Sequence, residues 1–252
     1  MTNADRPVEA VLEHPEIAAD RLFRMRPEVY QGLFEHGLIA PDDKVALVDG
    51  VLRHEGADPE TPLYRIPLDV YEEIARLELL TRRDKVVLLD GLLVNTMPRN
   101  SPHAVATGLV CQALMRLALP GWCVRNQEPL TLPTGPSGFP SVPEPDVNLV
   151  RGSLRDYTAR HPLPGDCALV VEVSDSTLRK DRKALARYAW VNIPVVWIVN
   201  LNDRVVEEYS GPTGPTTPAA YTKTETYGPD DHVPVLVDGR EAGRVAVVDL
   251  LP

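Results

Sequence analysis

Residues 167–200 read CALVVEVSDSTLRKDRKALARYAWVNIPVVWIVN, and this stretch decides the fold. Its two ends, residues 167–174 and 195–200, are apolar runs with the length and β-branched content of buried strands. The residues between them, 177–191, carry apolar side chains at helical spacing, which predicts a helix. The stretch therefore predicts a strand–helix–strand unit inside a mixed sheet.

The sequence predicts elements of the same kinds on both sides of this unit. Upstream, Asn100-Ser101-Pro102 predicts a helix that runs to about Leu119, with Ser101 as its N-cap and Pro102 as its first helical residue. The strands predicted on either side of the unit are residues 122–132, 145–150 and 204–209. Hairpin, helix, meander, helix and hairpin in this order predict an α/β fold of the α+β kind, with helices against a mixed sheet.

An internal repeat occupies the first third of the chain. Residues 23–53 and 64–94 align at an offset of 41 and share eleven residues, among them the Asp-Gly pairs at 49–50 and 90–91. Each copy predicts a helix, a polar break and a β-hairpin that turns at Asp-Gly. We expect residues 1–60 to form an N-terminal extension that packs on or mimics the start of a core domain over residues 61–252.

Composition excludes several classes of protein. The chain has 252 residues, a net charge of −10 and three widely spaced cysteines, Cys111, Cys123 and Cys167. It has no apolar run near the ~18 residues of a membrane span and no secretion signal, so we expect a cytoplasmic protein with reduced cysteines. A nonspecific nucleic-acid coat would be basic, but the charge does not exclude an enzyme with its cations on one face. P-loop, Rossmann, HExxH and GxSxG motifs are also missing.

Asp146 and Glu172 are the candidate catalytic and metal-ligating residues. Asp146 follows Pro145, which cannot donate to a sheet ladder and so marks the start of a strand. Glu172 interrupts the apolar run LVVEV, where an ionised carboxylate needs a cation or hydrogen bonds. If the two strands are neighbours, both carboxylates can converge on one hard cation such as Mg²⁺. The alternative is that Glu172 pairs with a core arginine or lies on a solvated face.

The helix after Glu172 is rich in cations. Lys180, Lys183 and Arg187 recur at i, i+3 and i+7, which places them on one ridge of the helix. In a chain with this net negative charge, such a ridge would suit a phosphate-binding surface. The alternative interpretation is an ordinary solvated helix face.

Several motifs occur together in an order that is similar to a known family. They are Pro145-Asp146, Glu172 to Thr177, Asp181, Lys183, Tyr188 and Ile193 to Asn200, with further marks at Leu89-Asp90-Gly91, Ser101-Pro102-His103, Arg125 and Gln127. This order resembles the bacterial restriction endonuclease family that is expanded in cyanobacteria, a branch of the PD-(D/E)XK nuclease superfamily. The resemblance covers roughly residues 64–209.

The resemblance implies a restriction-endonuclease-like core and a Mg²⁺-dependent (or Mn²⁺-dependent) endonuclease that hydrolyses phosphodiester bonds in DNA. Asp146 and Glu172 would bind the metal, and a lysine would assist the attacking water. The usual superfamily position for that lysine is Ser174 here. The position that this family uses on the following helix is Ala184, so we expect the adjacent Lys183 to act, with Lys180 as the second choice.

Three residues are expected to contact the substrate. The resemblance implies Gln127 and His103, and Arg187 is expected from the cationic ridge. His103 is expected either at the site or as a polar contact in the first turn of its helix. Gln127 either contacts water bound at the metal or only satisfies the backbone.

A second interpretation is a catalytically inactive module that keeps the nuclease fold for binding or scaffolding. Ser174, Ala184 and Leu92 motivate it, because the family often has glutamate where Leu92 stands. The expected partner of the active enzyme is DNA, no membrane contact is expected, and the repeat could dock a second chain to give a homodimer.

Overall fold

The computed structural model describes residue 17 and residues 21–55, 63–176 and 178–252, apart from the side chain of Lys180. These residues form two compact units. The first unit is the chain up to Met97 together with Ser137–Ser141, and the second is Pro98–Pro136 with Val142–Pro252. The domain boundary expected between residues 60 and 61 lies outside the described residues and stays a prediction.

The first unit contains two copies of a helix–hairpin motif, as the repeat predicts. Copy 1 consists of α1 (Pro27–Glu35), β1 (Val45–Val48) and β2 (Val51–His54). Copy 2 consists of α2 (Leu68–Arg76), β3 (Val86–Leu89) and β4 (Leu92–Asn95). Both hairpins turn at Asp-Gly with positive φ at both residues, 50° and 76° in copy 1 and 50° and 73° in copy 2. A two-residue turn of this kind needs glycine because it requires positive φ.

Asp90, at the turn of copy 2, also holds a distant loop. Its backbone N–H donates to Ser141 Oγ at 2.8 Å, and its Oδ1 accepts a hydrogen bond from Ser137 Oγ at 2.8 Å. The side chain is buried. These bonds explain why Ser137–Ser141 belong to the first unit although they are distant in sequence.

The second unit is built on a six-stranded sheet in the order β10-β9-β8-β7-β6-β5. Its strands are β5 (Trp122–Asn126), β6 (Val147–Arg151), β7 (Cys167–Ser174), β8 (Val195–Asn200), β9 (Val205–Pro212) and β10 (Tyr221–Tyr227). Within this sheet β7 and β8 are parallel and the other neighbours are antiparallel. The helix α4 (Leu178–Trp190) makes the crossover that a parallel pair requires. The mixed sheet with its helices confirms the predicted fold class.

Apolar layers cover both faces of this sheet. On one face, α3 (Ser101–Arg116) and the hairpin of β11 (His232–Val237) and β12 (Arg240–Ala246) share a core with Leu169, Val171 and Val173 of β7. On the other face, Tyr188 of α4 packs in a second cluster with Val170. Because side chains alternate along a strand, Glu172 lies on the same face as Val170, which is the α4 face.

Three predicted element bounds are wrong. The N-cap of α3 is Asn100 rather than Ser101, because Asn100 Oδ1 accepts the His103 N–H at 3.1 Å, and the helix ends at Arg116 rather than near Leu119. The first predicted strand stops at Asn126, since Gln127 takes a φ of 54° that breaks the ladder. The start of α4, expected at Thr177, lies outside the described residues.

The edge strand β10 has no counterpart among the predictions. Its sequence, YTKTETY, is polar on both faces, and its five central residues are exposed. An apolar pattern therefore could not indicate it.

The three cysteines are free thiols, as predicted. Burial raises the pKa of Cys167 to about 12, so it is an inert core residue. In the parts of the chain that the structure describes, no helix has the length and hydropathy needed to cross a bilayer.

Candidate active site

Asp146, directly before β6, lies close to Glu172 of the neighbouring strand β7. The antiparallel register of β6 and β7 pairs Val147 with Val171, and Asp146 and Glu172 are the next residue on each side of that pair. Asp146 Oδ2 also accepts the backbone N–H of Val173 at 2.9 Å. The convergence predicted for these two carboxylates requires neighbouring strands, and β6 and β7 are neighbours in the sheet.

Two basic side chains contact Asp146. His103 Nε2 lies 3.1 Å from Asp146 Oδ2, and Arg99 Nε lies 3.4 Å from Oδ1. Both come from the start of α3, where Asn100 caps the helix and so fixes the first turn that carries His103. From sequence, His103 is expected either at the site or as a polar contact in the first turn of its helix. In the structure its ring contacts Asp146.

Glu172 is held by a tyrosine of α4. The Tyr188 hydroxyl donates to Glu172 Oε1 at 2.6 Å. Burial, together with the nearby charges of Asp146 and Asp181, raises the pKa of Glu172 to about 8, although the bond from Tyr188 opposes the shift. Two close carboxylates whose joint ionisation is unfavourable are what a divalent cation would stabilise.

The face of α4 that is turned toward Glu172 is defined by Tyr188. At about 100° per residue, Asp181 and Ala184 lie within about 40° of the direction of Tyr188. Lys183 lies about 140° away and the helical position of Lys180 about 80° away on the same basis. Lys183 is exposed, and the side chain of Lys180 lies outside the described residues. The helix therefore brings Ala184, and not Lys183, to the side of the acids.

The predicted cationic ridge is only partly exposed. Arg187 is buried, so its side chain is not on a solvent-facing surface. Arg182 is paired with Glu207 of β9 through bonds of 3.0 and 2.5 Å, which tie α4 to the sheet. Arg179 and Lys183 are exposed.

Ser174 and Leu92, which motivate the interpretation as an inactive module, are both buried. Ser174 is fully buried on the same face as Glu172, and its Oγ has no protein partner among the described residues. Asn148, which pairs with Val170 and so lies on the α4 face, likewise has a buried Oδ1 without a partner among the described residues. Leu92 belongs to the apolar cluster of the first unit and supplies no acid.

Gln127 lies beside the pair through its backbone. Its N–H donates to the carbonyl of Asp146 at 3.1 Å. Of the residues named from sequence, the fold thus brings Asp146, Glu172, His103 and the backbone of Gln127 together.

Arg99 and the bonding role of Tyr188 were missed from sequence. Arg99 precedes the helix cap in a polar stretch, and nothing in the spacing of that stretch marks it. The residue becomes notable only through its contact with Asp146, which lies 47 positions away.

The donor chemistry of the pair fits a hard divalent cation. Mg²⁺ is commonly held by one or two carboxylates, with water and substrate completing its shell. Asp146 and Glu172 supply two carboxylates, and buried, unpartnered oxygens of Ser174 and Asn148 lie on the same face. Within the described residues, no group of three or more His, Cys, Asp or Glu side chains is placed to hold a metal by itself.

Comparison with known families assigns the chain. The family model described as "Uma2: Putative restriction endonuclease" matches residues 71–240, which is most of the chain. The protein belongs to the Uma2 family. The matched range contains Asp146, Glu172 and α4, and it begins inside copy 2, so copy 1 lies outside it.

The Uma2 fold has a solved relative. The crystal structure of a putative nuclease of the DUF820 group from Anabaena variabilis aligns over 73% of this Uma2 chain and 97% of its own, with a TM-score of 0.53 and 14% identity. At this identity the likeness shows a shared fold. A search of curated proteins finds no match to this chain.

Proposed function

We propose that this Uma2 protein is a metal-dependent endonuclease that hydrolyses phosphodiester bonds in DNA. The observation that carries the proposal is the Asp146–Glu172 pair, in which Glu172 lies on the α4 side of the sheet and each carboxylate oxygen of Asp146 contacts a basic side chain. Membership of a family described as restriction endonucleases supports the same reaction class.

Asp146 and Glu172 would hold Mg²⁺ or Mn²⁺. Such an ion supplies Lewis acidity to the phosphoryl group and makes water a stronger nucleophile. The protein's own contribution is positional. The Val173 N–H and His103 fix Asp146, and the Tyr188 hydroxyl fixes one oxygen of Glu172. Fixed oxygens lower the reorganisation needed in the transition state.

Arg99 and a helix lysine are the candidates for contact with phosphate and water. Arg99 is partly exposed and lies at Asp146, where a guanidinium can bind a phosphate oxygen. For the lysine that assists the attacking water we keep Lys183 and Lys180, and the helical geometry favours Lys180 because its position is nearer to the Tyr188 side. Gln127 and Arg187 remain proposed substrate contacts.

The second candidate function is a binding or scaffolding module without catalysis. Ser174 stands at the usual superfamily lysine position, Ala184 occupies the family's helix position, and Lys183 is exposed at about 140° from Tyr188 around the helix. These observations favour a relative that has lost its general base.

A cleavage assay separates the two functions. Supercoiled plasmid and single-stranded DNA are incubated with the protein in Mg²⁺ or Mn²⁺, and products are followed on gels. We expect metal-dependent cleavage that falls by roughly 10²-fold or more in Asp146→Asn and in Glu172→Gln. Glu208→Gln is the matched control, because Glu208 is a buried glutamate of β9 outside the pair.

The outcomes assign each proposal. Unchanged cleavage in Asp146→Asn contradicts the proposed site. Loss in Lys180→Ala with activity kept in Lys183→Ala assigns the helix lysine to position 180, and the reverse assigns it to 183. A wild-type protein that neither cleaves nor binds metal by calorimetry supports the module.

A further inference from the structure

Each helix–hairpin copy of the first unit is preceded by a short leading segment, residues 22–25 for copy 1 and 63–66 for copy 2. Each leading segment pairs with the hairpin of the other copy. Leu22, just before copy 1, forms an antiparallel bridge with Val94 of copy 2. Leu63, just before copy 2, forms the same bridge with Arg53 of copy 1. Since 22 and 63, and likewise 53 and 94, are separated by the repeat offset of 41, each bridge is the image of the other.

The hydrogen bonds repeat this exchange. The Phe23 N–H donates to the Leu93 carbonyl at 2.9 Å, and the Tyr64 N–H donates to the Leu52 carbonyl at 3.0 Å. Residues 23 and 64 are equivalent in the repeat, and so are 52 and 93. The contact is therefore reciprocal, because each copy donates one backbone N–H to the other and accepts the equivalent N–H in return.

Each leading segment then returns to the turn of its own copy. Met25 N–H donates to the Gly50 carbonyl at 2.7 Å, and Ile66 N–H donates to the Gly91 carbonyl at 2.7 Å. The preceding arginines behave alike, because Arg24 bonds the Asp49 carbonyl and Arg65 bonds the Asp90 carbonyl. The copies thus share their internal structure as well as their mutual contact.

Reciprocal contacts between equivalent residues define an isologous interface, the kind that two identical subunits form about a two-fold axis. Here both partners belong to one chain. The equivalent side chains Leu22 and Leu63, and Val51 and Leu92, are all buried in one apolar cluster. The interface therefore has the apolar character of a stable association rather than a surface touch.

Copy 2 has every group needed to form this contact with another copy 2. Its Leu63 and Tyr64 correspond to Leu22 and Phe23, and its Leu93 and Val94 correspond to Leu52 and Arg53. At the last position copy 2 has valine where copy 1 has arginine, so a pairing of two copies 2 would be the more apolar. The family match begins inside copy 2 and leaves copy 1 outside.

We propose that Leu63, Tyr64, Leu93 and Val94 of copy 2 form a self-complementary dimerisation face. Copy 1 occupies this face within the same chain. Copy 1 acts as a built-in partner, and its displacement frees copy 2 to pair with copy 2 of a second chain. This inference is independent of the nuclease proposal, because it concerns only residues of the first unit.

The test uses the full chain and weakens copy 1 alone. Leu22→Asp/Leu52→Asp puts two carboxylates into the contact, where burial of a charge is unfavourable. In this background one preparation carries Leu63→Cys and another, with a different tag, carries Val94→Cys. The two are mixed and oxidised, and covalent heterodimers are counted on non-reducing gels. Gln31→Asp/His36→Asp is the matched background, because it adds two carboxylates at exposed positions of copy 1.

We expect heterodimer to increase by about tenfold or more in the Leu22→Asp/Leu52→Asp background over the matched one. Equal yields in the two backgrounds, in chains shown to be folded by circular dichroism, overturn the proposal. If the weakened chain does not fold, Leu22→Cys/Val94→Cys in the otherwise native chain decides. A disulfide within one chain supports occupancy of the face by copy 1, and a disulfide between chains overturns it.

Discussion

At the scale of single residues, the hydroxyl of Tyr188 donates a hydrogen bond to Glu172. Its hydrogen bond lowers the pKa of Glu172 against burial and the nearby carboxylates. Tyr188→Phe should therefore raise that pKa further, by about one unit, and move the acid limb of the cleavage profile to higher pH. Activity measured from pH 6 to 10 checks this. Tyr209→Phe is the control, because Tyr209 makes a like bond to Glu207 outside the site, and an equal shift there would contradict the assignment.

The raised pKa of Glu172 also predicts how stability depends on pH. In the folded protein this pKa is about 8, above the ordinary value of 4.5, so the group contributes stability that is complete below about pH 4.5 and lost as pH rises through about 8. In metal-free buffer, Glu172→Gln should lose less stability than wild type between pH 5 and 9, with a gap of about 1 kcal/mol or more. Urea unfolding at several pH values measures it, and parallel curves would exclude the effect.

Arg99 occupies a position where a metal ion would compete with it for Asp146. Removal of its charge in Arg99→Ala should tighten Mg²⁺ or Mn²⁺ binding two- to fivefold, since a partly exposed ion pair contributes roughly 0.5–1 kcal/mol. The same change should weaken DNA binding measured in Ca²⁺. Calorimetry and fluorescence anisotropy give the two readouts. Arg116→Ala, an exposed arginine in the last turn of α3, should change neither, and weaker metal binding in Arg99→Ala would refute the competition.

At the scale of elements, the cap of α3 links helix stability to the site. Asn100 accepts the His103 N–H, so Asn100→Ala should cost about 1 kcal/mol in unfolding free energy. Ser101→Ala tests the cap that the sequence favours, and we expect it to cost much less. Urea unfolding of both variants decides, and a larger loss for Ser101→Ala would restore the sequence-based assignment.

Elements with a strong apolar pattern could be predicted from sequence, and polar ones could not. The strands β7 and β8 were predicted at their observed bounds because both are continuous apolar runs. The end of β5 was not predicted at its observed residue, since it depends on the left-handed backbone of Gln127. The edge strand β10 was missed because neither of its faces is apolar. An apolar sequence pattern indicates which face of an element is buried, so it cannot predict an element whose faces are exposed.

At the scale of the whole molecule, the candidate site depends on contacts between distant parts of the chain. Asp146 and Glu172 could be chosen from sequence, because proline and an apolar run mark their strands. That they lie close together follows from strand order, and the contacts of Arg99 and Tyr188 follow from how helices pack on the sheet. The repeat was visible in sequence, but the reciprocal exchange between its copies appears only in the pairing of their segments.

The register of β6 and β7 sets which changes of length this protein can tolerate during evolution. A slip by one residue would turn Glu172 onto the face that Val171 and Val173 now occupy, and would turn those two valines onto the α4 face. The ladder already absorbs one extra residue, because a bulge lies where Leu149 pairs with Leu169 and Val150 with Cys167.

Insertions before the bulge, in the β6–β7 loop, should leave the site unchanged, and insertions between the bulge and Glu172 should disrupt it. A glycine inserted between the exposed residues Thr158 and Ala159 lengthens only the loop between the strands and should leave cleavage intact. A glycine inserted between Val170 and Val171 should abolish it. We therefore expect the β6–β7 loop to tolerate changes of length, while the stretch from the bulge to Glu172 must keep its residue count.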